Sequence, residues 1–221
     1  MIDARHIMVV APHPDDETIA LGGTIHDHLT RGGSCEIVAV TDGEAADNEA
    51  DRGQRLALVA TRVAERAAAL EAIGAAHVAI ERLGYPDGEV GEHIATLGHD
   101  LRQAFAVARR RHSDCLLVLP WRDDPHPDHR ACARAGIEAA VRAGMSYFEV
   151  PIWGWYDPQV RRRLSPARVR RLAITTAARR RKRSALQCFQ SQLQFLPGGR
   201  GPVLPSDFLE VFDRGFEVLV T

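Results

Sequence analysis

The chain has 221 residues, 45% of them hydrophobic and 26% charged, with a net charge of −1; that is enough for a full core and gives no charge excess to suit nucleic acid. No apolar run approaches the roughly 20 residues of a membrane span, residues 1–6 are too polar for a secretory leader, and Cys35, Cys115, Cys132 and Cys188 include no Cys-x-x-Cys pair. A membrane protein, a disulfide framework and a thiolate zinc site are thereby set aside, and a cytoplasmic chain with free thiols is expected.

Residues 7–11, Ile-Met-Val-Val-Ala, have the continuous apolar character of a strand buried on both faces. Pro12 and Pro14 cannot donate to a sheet ladder and end it. A dense polar knot follows, His13-Pro14-Asp15-Asp16-Glu17, and the pattern then predicts a helix over 22–31, stopped by Gly32-Gly33. Residues 35–41 predict a second buried strand. Residues 43–54 are acidic and aperiodic, a mobile surface loop next to the site. A long Ala-rich helix is predicted over 56–73, with Leu56, Val59, Val63, Ala67, Leu70 and Ile73 on its buried face. A weaker third strand over 77–83 carries Glu81 and Arg82 and leads into a turn over 84–88. A helix over 92–111, a strand over 115–120, a helix over 130–143 ended by Gly144, and a fifth strand over 147–153 follow. The remainder gives a strand over 169–175, a helix over 177–193, a Gly- and Pro-rich loop over 196–205 and an edge strand over 216–220. Strands alternating with helices argue for an α/β fold, a Rossmann-like, doubly wound, mostly parallel sheet with helices on both faces. No linker divides the chain, so 1–221 reads as a single domain, with 157–221 an extension of it.

The knot falls at the carboxyl end of the first strand, where open α/β sheets bind ligands. Three carboxylates beside an imidazole need a partner for their charge. A divalent ion such as zinc, which accepts both donor types, is the simplest. A catalytic zinc takes three protein ligands and keeps one position open. His13 and Asp16 lie within one turn, although spacing does not separate Asp16 from its neighbour Asp15. A third ligand has to come from another strand end, and His129, after the fourth strand, fits. Alone, His13-x-x-Asp16 is also a helix-cap cluster and His126-Pro127-Asp128-His129 a polar turn; two such clusters, each after a buried apolar run, favour the ion.

Pro12-His13-Pro14-Asp15-Asp16-Glu17 with Gly22-Gly23-Thr24, and His126-Pro127-Asp128-His129-Arg130, together resemble the two signatures of the PIG-L/LmbE family of zinc-dependent N-acetylglucosaminyl deacetylases. The resemblance implies zinc on His13, Asp16 and His129, with Fe2+ or Co2+ suiting the same donors. It implies Asp15 as general base and His126 as oxyanion donor, its imidazole oriented and kept cationic by Asp128. Arg62 and Glu65 resemble the family's Arg-x-x-Glu, whose Arg holds the site or the sugar hydroxyls; Arg55 competes for that role, and an i,i+3 surface pair is the plainer alternative. Asp87 in Tyr85-Pro86-Asp87-Gly88 resembles a turn whose Asp accepts a sugar hydroxyl. Ser191-Gln192 also resembles a family feature. Trp153, in Trp153-Gly154-Trp155-Tyr156, offers an aromatic face to a pyranose ring, although a strand end packing its core is the commoner reason for such a cluster.

The expected activity is removal of acetyl from an N-acetylglucosamine-type amino sugar, a small glycoside or glycosylated metabolite, with no nucleic-acid or membrane partner and with a homo-oligomer as an option. A non-catalytic sugar- or metal-binding module is the rival, weakened by the full acid–base set. A dinucleotide enzyme is disfavoured because Gly-x-Gly-x-x-Gly is missing from the first strand–helix turn. His26, His28, His77, His93, His99 and His112 are expected to be structural, and the arginines of 161–163 and 179–183 to form solvated faces.

Overall fold

The computed structural model describes residues 2–47, 50–195 and 200–221. Parts of the two predicted loops, residues 48–49 and 196–199, lie outside the described residues. Strand β1, His6–Ala11, is buried along its whole length. It pairs in parallel with β2, Ser34–Thr41, on one side and with β4, Cys115–Pro120, on the other. Outside them lie β3, Ala79–Tyr85, and β5, Tyr147–Val150, also parallel. Then β7, Phe216–Val220, runs antiparallel to β5, and β6, Val169–Ala173, antiparallel to β7. The order β3-β2-β1-β4-β5-β7-β6 makes one seven-stranded sheet. The chain moves outward from β1 through β2 to β3, then returns to the far side of β1 as β4. The gap between the carboxyl ends of β1 and β4 is therefore the topological switch point, where two successive connections diverge and leave a crevice.

Helices cover both faces. α1 (Asp16–Thr30), α2 (Arg52–Ala72) and α7 (Thr176–Leu186) pack together on one side, and α3 (Ile94–Arg111) and α4 (Pro127–Ala143) on the other. Short helical turns complete the chain: α5 (Trp153–Tyr156), α6 (Pro158–Arg161), α8 (Gln190–Leu193) and α9 (Ser206–Phe212). β1 feeds both cores by its pleat: Ile7, Val9 and Ala11 enter one, Met8 and Val10 the other. The continuous apolar run in the sequence is the consequence. No helix of the described residues is long and apolar enough to cross a membrane.

The structure corrects several expected boundaries. α1 begins at Asp16, six residues before the predicted start, so the polar knot forms its first turn and Gly22-Gly23 lie inside it. Those glycines are a docking face: a Cβ on Gly23 would meet Ile174 at 2.6 Å and Glu217 at 3.2 Å. α2 starts at Arg52, capped by Asp51 and Gln54 in a reciprocal capping box. Its buried face is the expected one only toward its C-terminal end, where Leu70 and Ile73 are 2% and 0% exposed. Leu56 is 64% exposed, whereas Arg62 and Arg66 are 3% and 2% exposed. The helix turns its arginines inward because Asp15 and Glu17 of the knot lie beneath it. α4 begins at Pro127, with Pro in the first-turn position that tolerates it. β5 stops at Val150, and residues 153–156 are helical rather than strand. The helix predicted over 177–193 breaks after Leu186. Just past the loop predicted to end at residue 205, the chain enters the unpredicted α9.

Candidate metal centre and active site

The knot is folded back on itself at the end of β1. Thr41 donates its N–H (3.0 Å) and its hydroxyl (2.9 Å) to the Pro12 carbonyl, tying β2 to the turn. The N–H of His13 donates to Asp16 Oδ2 at 2.8 Å. Between them Asp15 takes φ 146°, the one described non-glycine residue with positive φ; such backbone costs about 1–3 kcal/mol and persists only where surroundings impose it. Arg62 imposes it. Its Nη2 donates to the Pro14 carbonyl (2.9 Å) and to Asp15 Oδ2 (2.8 Å), and its Nη1 to the Gly43 carbonyl (3.0 Å). Gly43 sits at φ 72°, and a Cβ there would overlap the guanidinium.

α4 brings the second cluster across the crevice. His126 caps the helix, its Nδ1 accepting the Asp128 N–H at 3.3 Å. His129 stands in the first turn, fully buried. His13 Nδ1, Asp16 Oδ2 and His129 Nε2 form a triangle with all three edges 3.3 Å. A tetrahedral ion bonded at about 2.0–2.1 Å holds neighbouring donors about 3.3–3.4 Å apart, so this donor set fits a divalent ion with one position left over. The remaining ring nitrogens face carboxylates. His13 Nε2 is 3.1 Å from Asp87 Oδ1 and 3.2 Å from Asp128 Oδ2. His129 Nδ1, buried without a hydrogen-bond partner, lies 3.6 Å from Asp124 Oδ1. Carboxylates behind ligating histidines fix the ring and raise its basicity. Two other groupings, His13 with His126 and His129, and His13 with Asp87 and Asp128, also have atoms within 4.8 Å of one another. The triangle is preferred because its edges match a coordination sphere and the second grouping uses the His13 nitrogen that faces away from it.

The electrostatics point the same way. Burial pushes the Asp15 carboxyl up to about 7, against the pull of Arg62. Burial also opposes charge on Asp16, but His129 and His13 outweigh it and hold that carboxyl well below its usual range. On His13 burial is outweighed by Asp128, Asp16 and Asp87, which favour a positive charge at this point. A divalent ion would supply such a charge. Burial, then His13 and His129, push His126 down to about 4.

The expected roles separate in space. Asp15, Asp16, His13, His126, Arg62, Asp87 and Trp153 line one cavity of about 350 Å³. Arg62 lines the cavity but gives both Nη atoms to protein groups. Asp87 is likewise occupied, Oδ1 by His13 and Oδ2 by the Ala45 N–H at 2.9 Å, and its carboxyl is brought to about 2 by His13 against burial. Asp128 does not hold the His126 imidazole. Its carboxylate takes His13 and the N–H groups of Gly88 (2.7 Å) and Val90 (3.3 Å), and its pull on His126 is outweighed by burial, His13 and His129, which disfavour the expected cationic ring. Arg55 lines a separate surface depression with Asp42 and Glu44, away from the cavity.

Sequence reasoning missed Asp124 as a site residue. It is fully buried and binds the N–H groups of His126 (3.1 Å), Ile152 (3.0 Å) and Gly154 (3.1 Å), joining the second cluster to the end of β5. Its place just ahead of the second motif was the available signal. The cavity wall made by Val203, Leu204 and Phe208 was also missed, and Gln192, singled out without a role, joins it. Glu65 joins the two weakest motifs, accepting from the Ser191 N–H (2.6 Å) and hydroxyl (2.7 Å).

The sequence profile described as PIG-L, GlcNAc-PI de-N-acetylase, matches residues 8–140. A diacetylchitobiose deacetylase of Thermococcus kodakarensis is 29% identical over 150 residues, covering 66% of this chain and 53% of that protein. A 1D-myo-inositol 2-acetamido-2-deoxy-alpha-D-glucopyranoside deacetylase of Mycobacterium sp. strain KMS is 38% identical over 171 residues, covering 67% of this chain and 53% of that protein. The chain thus spans about half the length of these two relatives. Among solved structures, the A40926 pseudoaglycone deacetylase Dbv21 superposes with a TM-score of 0.73 at 20% identity, over 99% of this chain and 97% of that one, a likeness of fold.

Proposed function

The chain belongs to the PIG-L, or GlcNAc-PI de-N-acetylase, family, and we propose that it is a zinc-dependent hydrolase that removes the acetyl group from an N-acetylglucosamine-type amino sugar. The observation that carries this reading is the 3.3 Å triangle of His13, Asp16 and His129 with Asp15 beside it. His2Asp is a donor set that zinc accepts, and Fe2+ or Co2+ suit it as well. When bound, such an ion acidifies water and polarises an amide carbonyl.

The chain's own groups do the rest. Arg62 binds Asp15 Oδ2, which leaves Oδ1 to take a proton from the attacking water. A carboxyl brought to about 7 accepts that proton and then gives it to the departing amine, as one group serving both steps must. His126 Nδ1 accepts from a backbone N–H, so the neutral ring carries its proton on Nε2 and donates it in a hydrogen bond to the developing oxyanion. Asp87, Asp128 and Asp124 fix the two ligating rings. The C–N bond breaks, and acetate and a free amine leave. A binding module has no use for a base and an oxyanion donor at these positions. The four free cysteines suit a reducing, cytoplasmic setting.

The test is acetate release from N-acetylglucosamine and its simple glycosides. Turnover is expected with zinc, abolished by a chelator and restored by reloading. No release from any N-acetyl amino sugar by the zinc-loaded protein would overturn the reading.

A further inference from the structure

The cavity above the triangle is two-sided. Its charged and imidazole groups lie toward β1 and α4. The opposite wall is mainly apolar, made by Ile152, Trp153, Val203, Leu204 and Phe208, with Gln192 as its polar side chain. That wall is built deliberately by the C-terminal segment. The Leu204 N–H donates to the Gln192 carbonyl at 2.9 Å, and Phe208, fully buried, packs its ring 4.7 Å from Trp153 and 5.1 Å from Tyr156. Trp153 also lines a second, more open groove of about 610 Å³ with Tyr156 and Val211, so the two spaces share a wall. The groove's acidic side chains are already engaged. The Tyr156 hydroxyl donates to Asp207 at 2.6 Å, and Asp157 caps α6 by accepting from Gln159 and Val160. Beside Trp153, Tyr156 and Val211 the groove also carries two guanidinium groups, that of Arg161, whose Nη1 donates to the Trp155 carbonyl at 3.2 Å, and that of Arg214, which lies over the Phe216 ring.

A bare amino sugar carries hydroxyls around its ring. Set against the apolar side chains of this wall they would lose water without gaining partners, which costs binding energy. The first cavity is at the small end of ligand sites, which run from about 300 to 1,000 Å³. The groove that Trp153 also lines offers further room. We infer that the substrate bears an apolar substituent beyond the sugar ring and its amide, seated on the Trp153–Phe208 wall and reaching toward the Tyr156–Val211 groove. Deepening the deacetylase reading, the inference rests on it for the reacting group alone. The same apolar chemistry reaches the wall either as an alkyl or aryl aglycone or as an acyl chain longer than acetyl.

Binding is measured by tryptophan fluorescence and calorimetry on the zinc-loaded Asp15→Asn protein, so that no turnover intervenes. One arm compares methyl and octyl 2-acetamido-2-deoxyglucosides. The other compares acetyl and octanoyl on a methyl glucosaminide. The octyl or the octanoyl ligand is expected to bind at least about tenfold tighter than its short counterpart, the effect of burying two or more methylenes. The arm that gains identifies the source. Val203→Asn and Val211→Asn, both at half-buried positions, are expected to bring that ratio close to one. Equal affinity in both arms, or a gain that neither substitution reduces, overturns the inference. It does so whether or not the wild-type protein releases acetate, so its failure is separable from failure of the deacetylase reading.

Discussion

Asp15 concentrates the chemistry of the site in one residue. Its backbone is strained at φ 146°, its carboxyl is buried and brought to about 7, and one of its oxygens is held by Arg62. Neighbouring Asp16 has an ordinary helical start and is drawn the other way by two imidazoles. Two adjacent carboxylates are thus pushed to opposite protonation behaviour by position alone. Asp15→Asn keeps the shape and still accepts from Arg62. It is expected to retain bound metal, measured by elemental analysis, while kcat falls about 10²- to 10⁴-fold, the usual share of a general base. A variant with unchanged kcat would remove Asp15 from the mechanism.

At the scale of elements, α1 is held by contacts that its glycines permit. Glu217 of β7 accepts from the N–H groups of Gly23 (2.9 Å) and Thr24 (2.7 Å), and from Lys182 of α7 at 2.6 Å. Lys182, the chain's only lysine, is 2% exposed and Glu217 4%. One ion pair therefore links α1, α7 and β7, and with them the C-terminal strands to the helix whose first turn carries the site. Lys182→Met leaves a buried carboxylate unpaired, which costs about 3–5 kcal/mol. For a chain of this size the thermal midpoint is expected to drop by about 10 °C in calorimetry, each kcal/mol being about 2–4 °C. Lys182→Met with Glu217→Gln should recover part of that loss. A Lys182→Met protein that melts with the wild type would show the pair to be dispensable.

For the whole molecule, the sheet order sets what is accessible. Sites at the switch point open to solvent, whereas the strand interiors are sealed by helices on both faces. Burial pushes the thiols of Cys35 and Cys132 up from their ordinary value and that of Cys115 up to about 11. Thiolate, the reactive form, is therefore scarce near pH 8. The native protein is expected to react slowly with a disulfide reagent at these three positions, and all four cysteines to titrate at once after denaturation. Rapid native labelling of Cys35 or Cys132 would mean that the sheet opens readily.

The alternation of apolar runs and helical stretches was enough to establish the mostly parallel α/β sheet, because runs that short, bounded by proline or glycine, suit strands rather than helices. His13, His129 and one of Asp15 and Asp16 were legible as ligand candidates because imidazole and carboxylate beside a strand end need a shared cation, and only the family resemblance singled out Asp16. What pairs with what was not legible. Asp128 serves His13 instead of His126, Arg62 turns inward to Asp15 while Leu56 faces water, and Phe208 walls a cavity more than 190 residues from His13 in sequence. A side chain's type and local spacing are properties of its own segment. Its partner is fixed by which distant segment the sheet order brings within a few ångströms, and that is settled only when the chain has folded.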